Sequence, residues 1–221
     1  GVVQAAVIDP RSAEASAEAG APLLLATTNP GKLREFRRLF PDLRLLSPAD
    51  LQLQLTVAET GTTFHQNAAI KARAFARASG LISMADDSGL EVDGLGGDPG
   101  VRSARYGGDG LDDAGRCLLL LQNLSSAAPD QRKARFRCCI VAAAPDGRVC
   151  RGDGTCEGVI GPRPEGESGF GYDPVFVLPG FGKTMAQLAP EVKNQISHRA
   201  GAAEHIRPFL PSVFPELAGG A

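Results

Sequence analysis

The chain has 221 residues, 43% hydrophobic and 22% charged, the balance of a globular protein with interior enough for one large domain or two lobes. A net charge of −2 argues against broad electrostatic binding to nucleic acid, which needs a basic surface, and no apolar run approaches the roughly 18 residues of a membrane span. Cys117, Cys138, Cys139, Cys150 and Cys156 show no C-x-x-C pairing, and an odd count without a secretion signal points to reduced thiols in the cytoplasm.

Residues 1–21 are Ala-rich and lack the basic start and apolar middle of a signal peptide. They read as a loosely ordered extension without a function, ahead of one domain over residues 22–221. Leu23-Leu24-Leu25-Ala26 reads as a buried strand, and Thr27-Thr28-Asn29-Pro30-Gly31-Lys32 as a turn into a helix. Asn29 is a good N-cap, and Pro30 fits the first helical position, where its missing N–H costs nothing. Leu33, Phe36, Leu39 and Phe40 share one helical face before Pro41 stops the helix. Such a junction offers unpaired N–H groups and a positive dipole end to a phosphate. Lys32 stands in that first turn, where the dipole disfavours a cation; an anionic ligand explains it, and so does plain solvation. The G-x-x-x-x-G-K-[ST] spacing is absent, which argues against a phosphate-transferring kinase.

Leu51, Leu53, Leu55 and Val57 alternate with polar residues and predict a half-buried strand. Thr63-Phe64-His65-Gln66 has the capping-box form and starts a helix that runs to about Ser79 and ends at Gly80. On that helix Lys71 lies beside Arg73 and Arg77 and reads as part of a solvated face. Leu81 to Ala85 reads as a strand ending in Asp86-Asp87-Ser88-Gly89, with Glu91 and Asp93 just beyond. Carboxylates at the end of a strand, where α/β folds place ligands, suit a hard oxygen-liganded cation or a general base. Asp, Ser and Gly are equally ordinary turn formers. Neighbours on a strand face opposite sides, so Asp86 and Asp87 should do different jobs unless the strand has already ended.

Leu95 to Gly110, Gly-rich and carrying Arg102 and Arg105, reads as a long surface loop. A helix over Asp112 to Asn123, a strand over Ala134 to Ala143, a hairpin turn at Asp146-Gly147 and a strand from Arg148 to about Val159 follow. Gly169 and Gly171 free the backbone around Phe170, whose ring could stack on a nucleobase while Asp173 accepts from a base edge. Alternatively this is a strand start with Phe170 and Tyr172 in the core. Ser197-His198-Arg199 is a polar patch in helical surroundings, readable as surface or as site. Alternating βα units followed by a hairpin predict an α/β fold with a long central mixed sheet flanked by helices.

Seven segments together resemble, in order, the inosine triphosphate pyrophosphatase family, the Ham1-like or RdgB-like pyrophosphatases of non-standard purine triphosphates. They are Thr27 to Lys32, Glu59-Thr60-Gly61, Asn67-Ala68 with Lys71-Ala72, Ala85 to Leu90, Gly100 with Ser103 to Tyr106, Gly169 to Pro174, and Ser197-His198-Arg199. The resemblance implies two lobes around a nucleotide cleft, a homodimer, and Mg²⁺-dependent hydrolysis of ITP, dITP and XTP to monophosphate and pyrophosphate, which keeps these nucleotides out of DNA and RNA. It implies that Glu59 and Asp87 hold the metal, with Asp87 as the general base and Asp86 as its partner. It places Thr27, Thr28, Asn29, Pro30, Gly31, Lys32, Lys71 and Lys193 on the phosphates, with Ser88 nearby, and Phe170, Gly171, Tyr172, Asp173, His198 and Arg199 on the base.

His198 and Arg199 can donate to an oxygen on C6, whereas the amino group of adenine sets donors against donors. Such a site rejects the wrong analogue by as much as about 10⁴-fold. Exclusion of guanine needs something at C2 that these residues do not reveal. A Maf-like pyrophosphatase of modified or pyrimidine triphosphates is one alternative, against the motif order. A non-catalytic nucleotide sensor is another, but it should lack a metal carboxylate, and both Glu59 and Asp87 are present.

Overall fold

A computed structural model describes residues 20–218, so the extension expected over residues 1–21 lies outside the described residues apart from its last two. Of those, Ala21 already belongs to the fold: its N–H donates to the Glu216 carbonyl at 2.8 Å. Seven strands form one mixed sheet in the order β2-β1-β3-β4-β5-β6-β7. They are β1 (Leu23–Leu25), β2 (Leu45–Leu46), β3 (Ile82–Val92), β4 (Lys133–Ala143), β5 (Val149–Ile160), β6 (Phe176–Leu178) and β7 (Lys183–Thr184). The helices are α1 (Pro30–Leu39), α2 (Phe64–Ser79), α3 (Asp113–Asn123), α4 (Pro190–Ile196), α5 (His198–Ile206) and α6 (Leu210–Val213). The α/β class, the mixed sheet and the hairpin between β4 and β5 are those the sequence predicts.

One mismatch of length creates the cleft. β1 runs parallel to β3 but pairs only Leu23–Leu25 with Ile82–Met84, while β3 continues antiparallel to β4 as far as Val92. From Asp86 to Gly89 the β1 side of β3 is therefore an open edge; beyond it the Leu90 N–H donates to Ser103 Oγ at 2.8 Å, the Val92 N–H to the Asp98 carbonyl at 3.2 Å, and Glu91 bridges Pro99. The chain leaving β1 turns at the open edge into α1, with Asn29 capping the Lys32 N–H at 3.1 Å and Pro30 in the first turn.

The two faces of the sheet are packed differently. Met84, Asp86, Ser88, Leu90 and Val92 share a face with their β4 partners Ala142, Ile140, Cys138, Phe136 and Ala134. That face carries two hydrophobic clusters, one with α1 and α5 around Phe36, Met84, Ile140 and Ile206, the other around Leu90, Leu120, Phe136, Tyr172 and Phe176. The polar residues Asp86 and Ser88 fall between these two clusters. On the opposite face Ala68, Ala72 and Phe75 of α2 cover Ala85, Cys139 and Val141. Gly152 and Gly154 let α5 approach β5: a Cβ on Gly154 would lie 2.1 Å from the His198 carbonyl oxygen.

Three expectations need correction. Leu53, Leu55 and Val57 are partly buried and the residues between them exposed, but none of them lies in a strand, and Leu51 is exposed at the end of a 3₁₀ turn (Ala49–Leu51); the segment packs beside α2 without joining the sheet. Alternation reports one-sided burial, and a ladder also requires a neighbouring strand with free backbone groups. The strand at Leu81 to Ala85 does not end before the acidic motif but carries it in mid-strand, because β4 supplies a partner for every residue from Ser83 to Val92. Leu95 to Gly110 is not purely surface: it holds a 3₁₀ turn over Gly100–Arg105 whose Ser103 is buried. All five cysteines are buried and free. Among the described residues no helix is long and apolar enough to cross a membrane.

Candidate active site

A cavity of about 840 Å³, counting its open mouth, wraps the free edge of β3 and draws on both faces of the sheet. From the α2 side come Glu59, Lys71 and Asp87; from the α5 side come Phe136, His198 and Arg199; Lys32, Phe170, Asp173 and Lys193 complete the wall.

On the α2 face Asp87 Oδ2 accepts from Asn67 Nδ2 at 3.0 Å, and Lys71 Nζ lies 2.8 Å from Glu59 Oε1. Asn67 and Lys71 are one helical turn apart, so one face of α2 delivers both. Burial raises the Asp87 pKa, against the lowering pull of Lys71 and the Asn67 hydrogen bond. Burial works against the Lys71 ammonium, but Asp86, Glu59 and Asp87 outweigh it and raise its pKa. Lys71 is thus no solvated helix lysine. Two carboxylates beside a cavity fit Mg²⁺, a cation commonly bound through one or two carboxylates plus substrate phosphates.

The α5 face holds a buried charge network. Asp86 Oδ2 lies 2.9 Å from Lys32 Nζ and 3.1 Å from Arg199 Nη2. Burial opposes ionisation of Asp86, but Lys32, Arg199 and Lys71 prevail and hold its carboxyl well below the usual range. Glu35, one turn beyond Lys32 on α1, pairs with Arg199 and with Lys193, the latter at 2.8 Å; Lys193 also reaches Asp173 at 2.7 Å. These partners raise the Lys193 pKa despite burial.

Counting protons shows what remains for a ligand. Arg199 gives Nε to Asp86, Nη2 to Asp86 and Ser88 Oγ, and one Nη1 proton to Glu35. One of its five N–H groups is left. Lys193 likewise spends two of three ammonium protons on Asp173 and Glu35. His198 stacks on Phe136 with ring centres 4.8 Å apart, and its buried Nδ1 has no partner. Burial, with Arg199 and Lys193 adding repulsion, lowers its pKa well below the ordinary value, so the ring is neutral. Phe170 presents its face to Lys193 and Arg199, 4.9 and 5.7 Å from the ring centre.

The structure brings together Asn29, Lys32, Glu59, Lys71, Asp87, Ser88, Phe170, Gly171, Tyr172, Asp173, Lys193, His198 and Arg199 on one cavity. Thr27, Thr28, Pro30 and Gly31 do not line it. Thr27 Oγ1 accepts from the Asn29 N–H at 3.2 Å, and a Cβ on Gly31 would lie 2.8 Å from the Phe170 ring. Asn29 already satisfies the Lys32 N–H and Pro30 has none, so the first turn of α1 keeps fewer free donors than a bare helix start. Tyr172 forms part of the wall, but its hydroxyl is committed to the Ser103 carbonyl at 2.8 Å. Neither the core nor the surface reading of the Phe170 and His198 segments holds alone: Tyr172 is core, Phe170 is half-buried at the cavity, and Ser197-His198-Arg199 is fully buried.

Sequence reasoning missed Glu35, Phe136 and the role of Asn67. A buried-side carboxylate one turn after Lys32 was a usable signal for the first, and an asparagine amid helical alanines for the last. Phe136 is indistinguishable from core until α5 is seen above it.

The chain matches the sequence model of the Ham1 family over residues 23–209. It is 48% identical over 200 residues to the dITP/XTP pyrophosphatase of Geobacillus kaustophilus, covering 90% of this chain and 96% of that protein. The dITP/XTP pyrophosphatase of Bacillus subtilis is 42% identical over 191 residues, 85% of this chain and 96% of that one. Among solved structures, the Staphylococcus aureus Ham1 protein superposes with a TM-score of 0.78 at 41% identity, covering 86% of this chain and 98% of its own. A HAM1 protein from Coxiella burnetii gives 0.79 at 38% identity, with 87% and 99% covered.

Proposed function

This chain belongs to the Ham1 family, and from that footing we propose that it hydrolyses ITP, dITP and XTP to the monophosphate and pyrophosphate. One observation carries the reading: a single cavity offers oxygen-seeking donors on one side of β3 and a carboxylate pair with a lysine on the other.

The base end selects by hydrogen-bond sense. Lys193, expected on the phosphates, goes to the base end instead because it pairs with Asp173 and lies over the Phe170 ring; its spare proton and that of Arg199 meet an oxygen on C6, whereas a 6-amino group would set donor against donor and leave buried donors unpaired. Phe170 and the Phe136–His198 stack wall the flat ring. Lys32 and Lys71 meet the triphosphate, exchanging part of their contact with Asp86 and Glu59 for phosphate oxygens.

At the phosphate end Glu59 and Asp87 would hold Mg²⁺. When bound, the metal supplies charge neutralisation on the phosphate oxygens. Asp87 accepts a proton from the attacking water. The water oxygen bonds to phosphorus as the bridge between the α and β phosphates breaks, and the electron pair leaves with the bridging oxygen. The same reading takes the active form as a cytoplasmic homodimer, on the strength of the family resemblance; sedimentation of the purified chain tests the oligomer.

The deciding assay follows pyrophosphate and orthophosphate separately with Mg²⁺ and ITP, dITP, XTP, GTP, ATP and dTTP. Pyrophosphate from the first three, with little from ATP or GTP, is expected. Orthophosphate as the first product would overturn the mechanism.

A further inference from the structure

We propose that Asn67 is a positioning residue that locks the Glu59 segment to Asp87, presetting the separation of the two carboxylates before a cation arrives. The inference rests on the reading that Glu59 and Asp87 hold the metal. Asn67 is wholly buried on α2. Its Oδ1 accepts from the Gly61 N–H at 2.8 Å, and its Nδ2 donates to Asp87 Oδ2 at 3.0 Å. An amide has one accepting end and one donating end. The Gly61 N–H can only donate, so it fixes the oxygen end on itself and turns the nitrogen end onto Asp87.

The need for such a lock follows from the fold. Asp87 is held rigidly in mid-strand between β4 and the open edge. Glu59 lies on extended chain that pairs with no strand, two residues before Gly61. Partial burial of Leu53, Leu55 and Val57 holds that chain sideways, but burial is non-directional and does not set its height above Asp87. Lys71 ties the Glu59 carboxylate to α2, and Gln66 Oε1 accepts from the Thr62 N–H at 2.8 Å, but only the Asn67 amide also bonds to Asp87 and so joins the segment to it directly. Gly61 is fitted to that amide: a Cβ there would lie 2.6 Å from both Asn67 Oδ1 and Gln66 Cβ. The bridge can therefore be broken from either end without altering a carboxylate.

The test uses Asn67→Ser and Gly61→Ala, singly and together, with Glu59→Gln as reference. Mn²⁺ binding is read by electron paramagnetic resonance in the presence of an ITP analogue with a methylene group between the α and β phosphates. Each single variant is expected to bind Mn²⁺ about tenfold more weakly, the lower end for residues that orient metal ligands. The double variant should lose no more than the worse single one, since both break the same bridge. In the metal-free protein the Gly61 amide should lose its protection from hydrogen exchange in Asn67→Ser. Should that variant fail to fold, Gly61→Ala, on a half-buried loop, carries the test alone. Wild-type Mn²⁺ affinity in these variants alongside a loss in Glu59→Gln overturns the lock and leaves the metal reading standing. Additive losses in the double variant also overturn it. Wild-type affinity in Glu59→Gln would sink the metal reading itself, and the lock with it.

Discussion

Asp86 and Asp87 are neighbours on β3 that open onto opposite faces of the sheet: Asp86 Oδ2 sits 2.9 Å from Lys32 Nζ on the α5 side, and Asp87 Oδ2 sits 3.0 Å from Asn67 Nδ2 on the α2 side. Their variants should therefore fail differently. Asp87→Asn is expected to fold normally, bind nucleotide and lose at least about 10²-fold in kcat, the lower bound for a general base. Asp86→Asn leaves the buried Arg199 and the partly exposed Lys32 with less counter-charge and should cost about 3 kcal/mol of stability. Urea denaturation and turnover, measured on both, check the pair; a fully stable Asp86→Asn would contradict the network.

Lys32→Ala and Lys71→Ala should weaken triphosphate binding far more than monophosphate binding, with base preference unchanged. Calorimetry with IMP and a non-hydrolysable ITP analogue reads both. Equal weakening of the two ligands would remove these lysines from the phosphates.

Phe170→Ala should raise KM for every purine alike, by about 1–3 kcal/mol of lost stacking, while the ratio of ITP to ATP turnover holds. Arg199→Gln should instead lower that ratio, because a donor to the 6-oxygen is altered. If Phe170→Ala changed the ratio and Arg199→Gln did not, the division of labour at the base would be reversed.

Stability should fall as pH drops below about 6.5, the ordinary histidine value. The sign follows from His198: it stays neutral in the fold, whereas the unfolded chain takes up a proton there, so acid favours unfolding. The slope approaches about 1.4 kcal/mol per pH unit per such group. Asp86, with its folded pKa depressed, adds a second loss that begins near its unfolded value of about 4 and continues below it. Denaturation midpoints at pH 7.5 and 5.5 for wild type and His198→Gln test this; an undiminished slope in the variant would assign the effect elsewhere.

Local chemistry was legible in the chain. The Asn29 cap with Pro30 in the first turn, the Thr63 cap and the left-handed Gly80 that bound α2, and the Asp146-Gly147 turn each depend on a few adjacent residues and appear as read, except that Gln66 closes no capping box: its Oε1 accepts from the Thr62 N–H instead of the Thr63 N–H. Pleat sets Asp86 and Asp87 on opposite faces only if the strand runs through them, and that condition was not local.

Tertiary structure decided what surrounds them. Whether Leu53 to Val57 became a strand, and whether β3 ended at Ala85, depended on which strands offered free backbone groups, and that is set by partners distant in sequence. Lys71 looked like a solvated helix lysine and Arg199 like surface because their countercharges lie outside their own helices, Glu59 on the segment before α2 and Asp86 and Glu35 113 and 164 residues before Arg199. Burial of a charge is favourable only beside its partner, and adjacency of that kind exists only once the early end of β1 has opened the edge of β3.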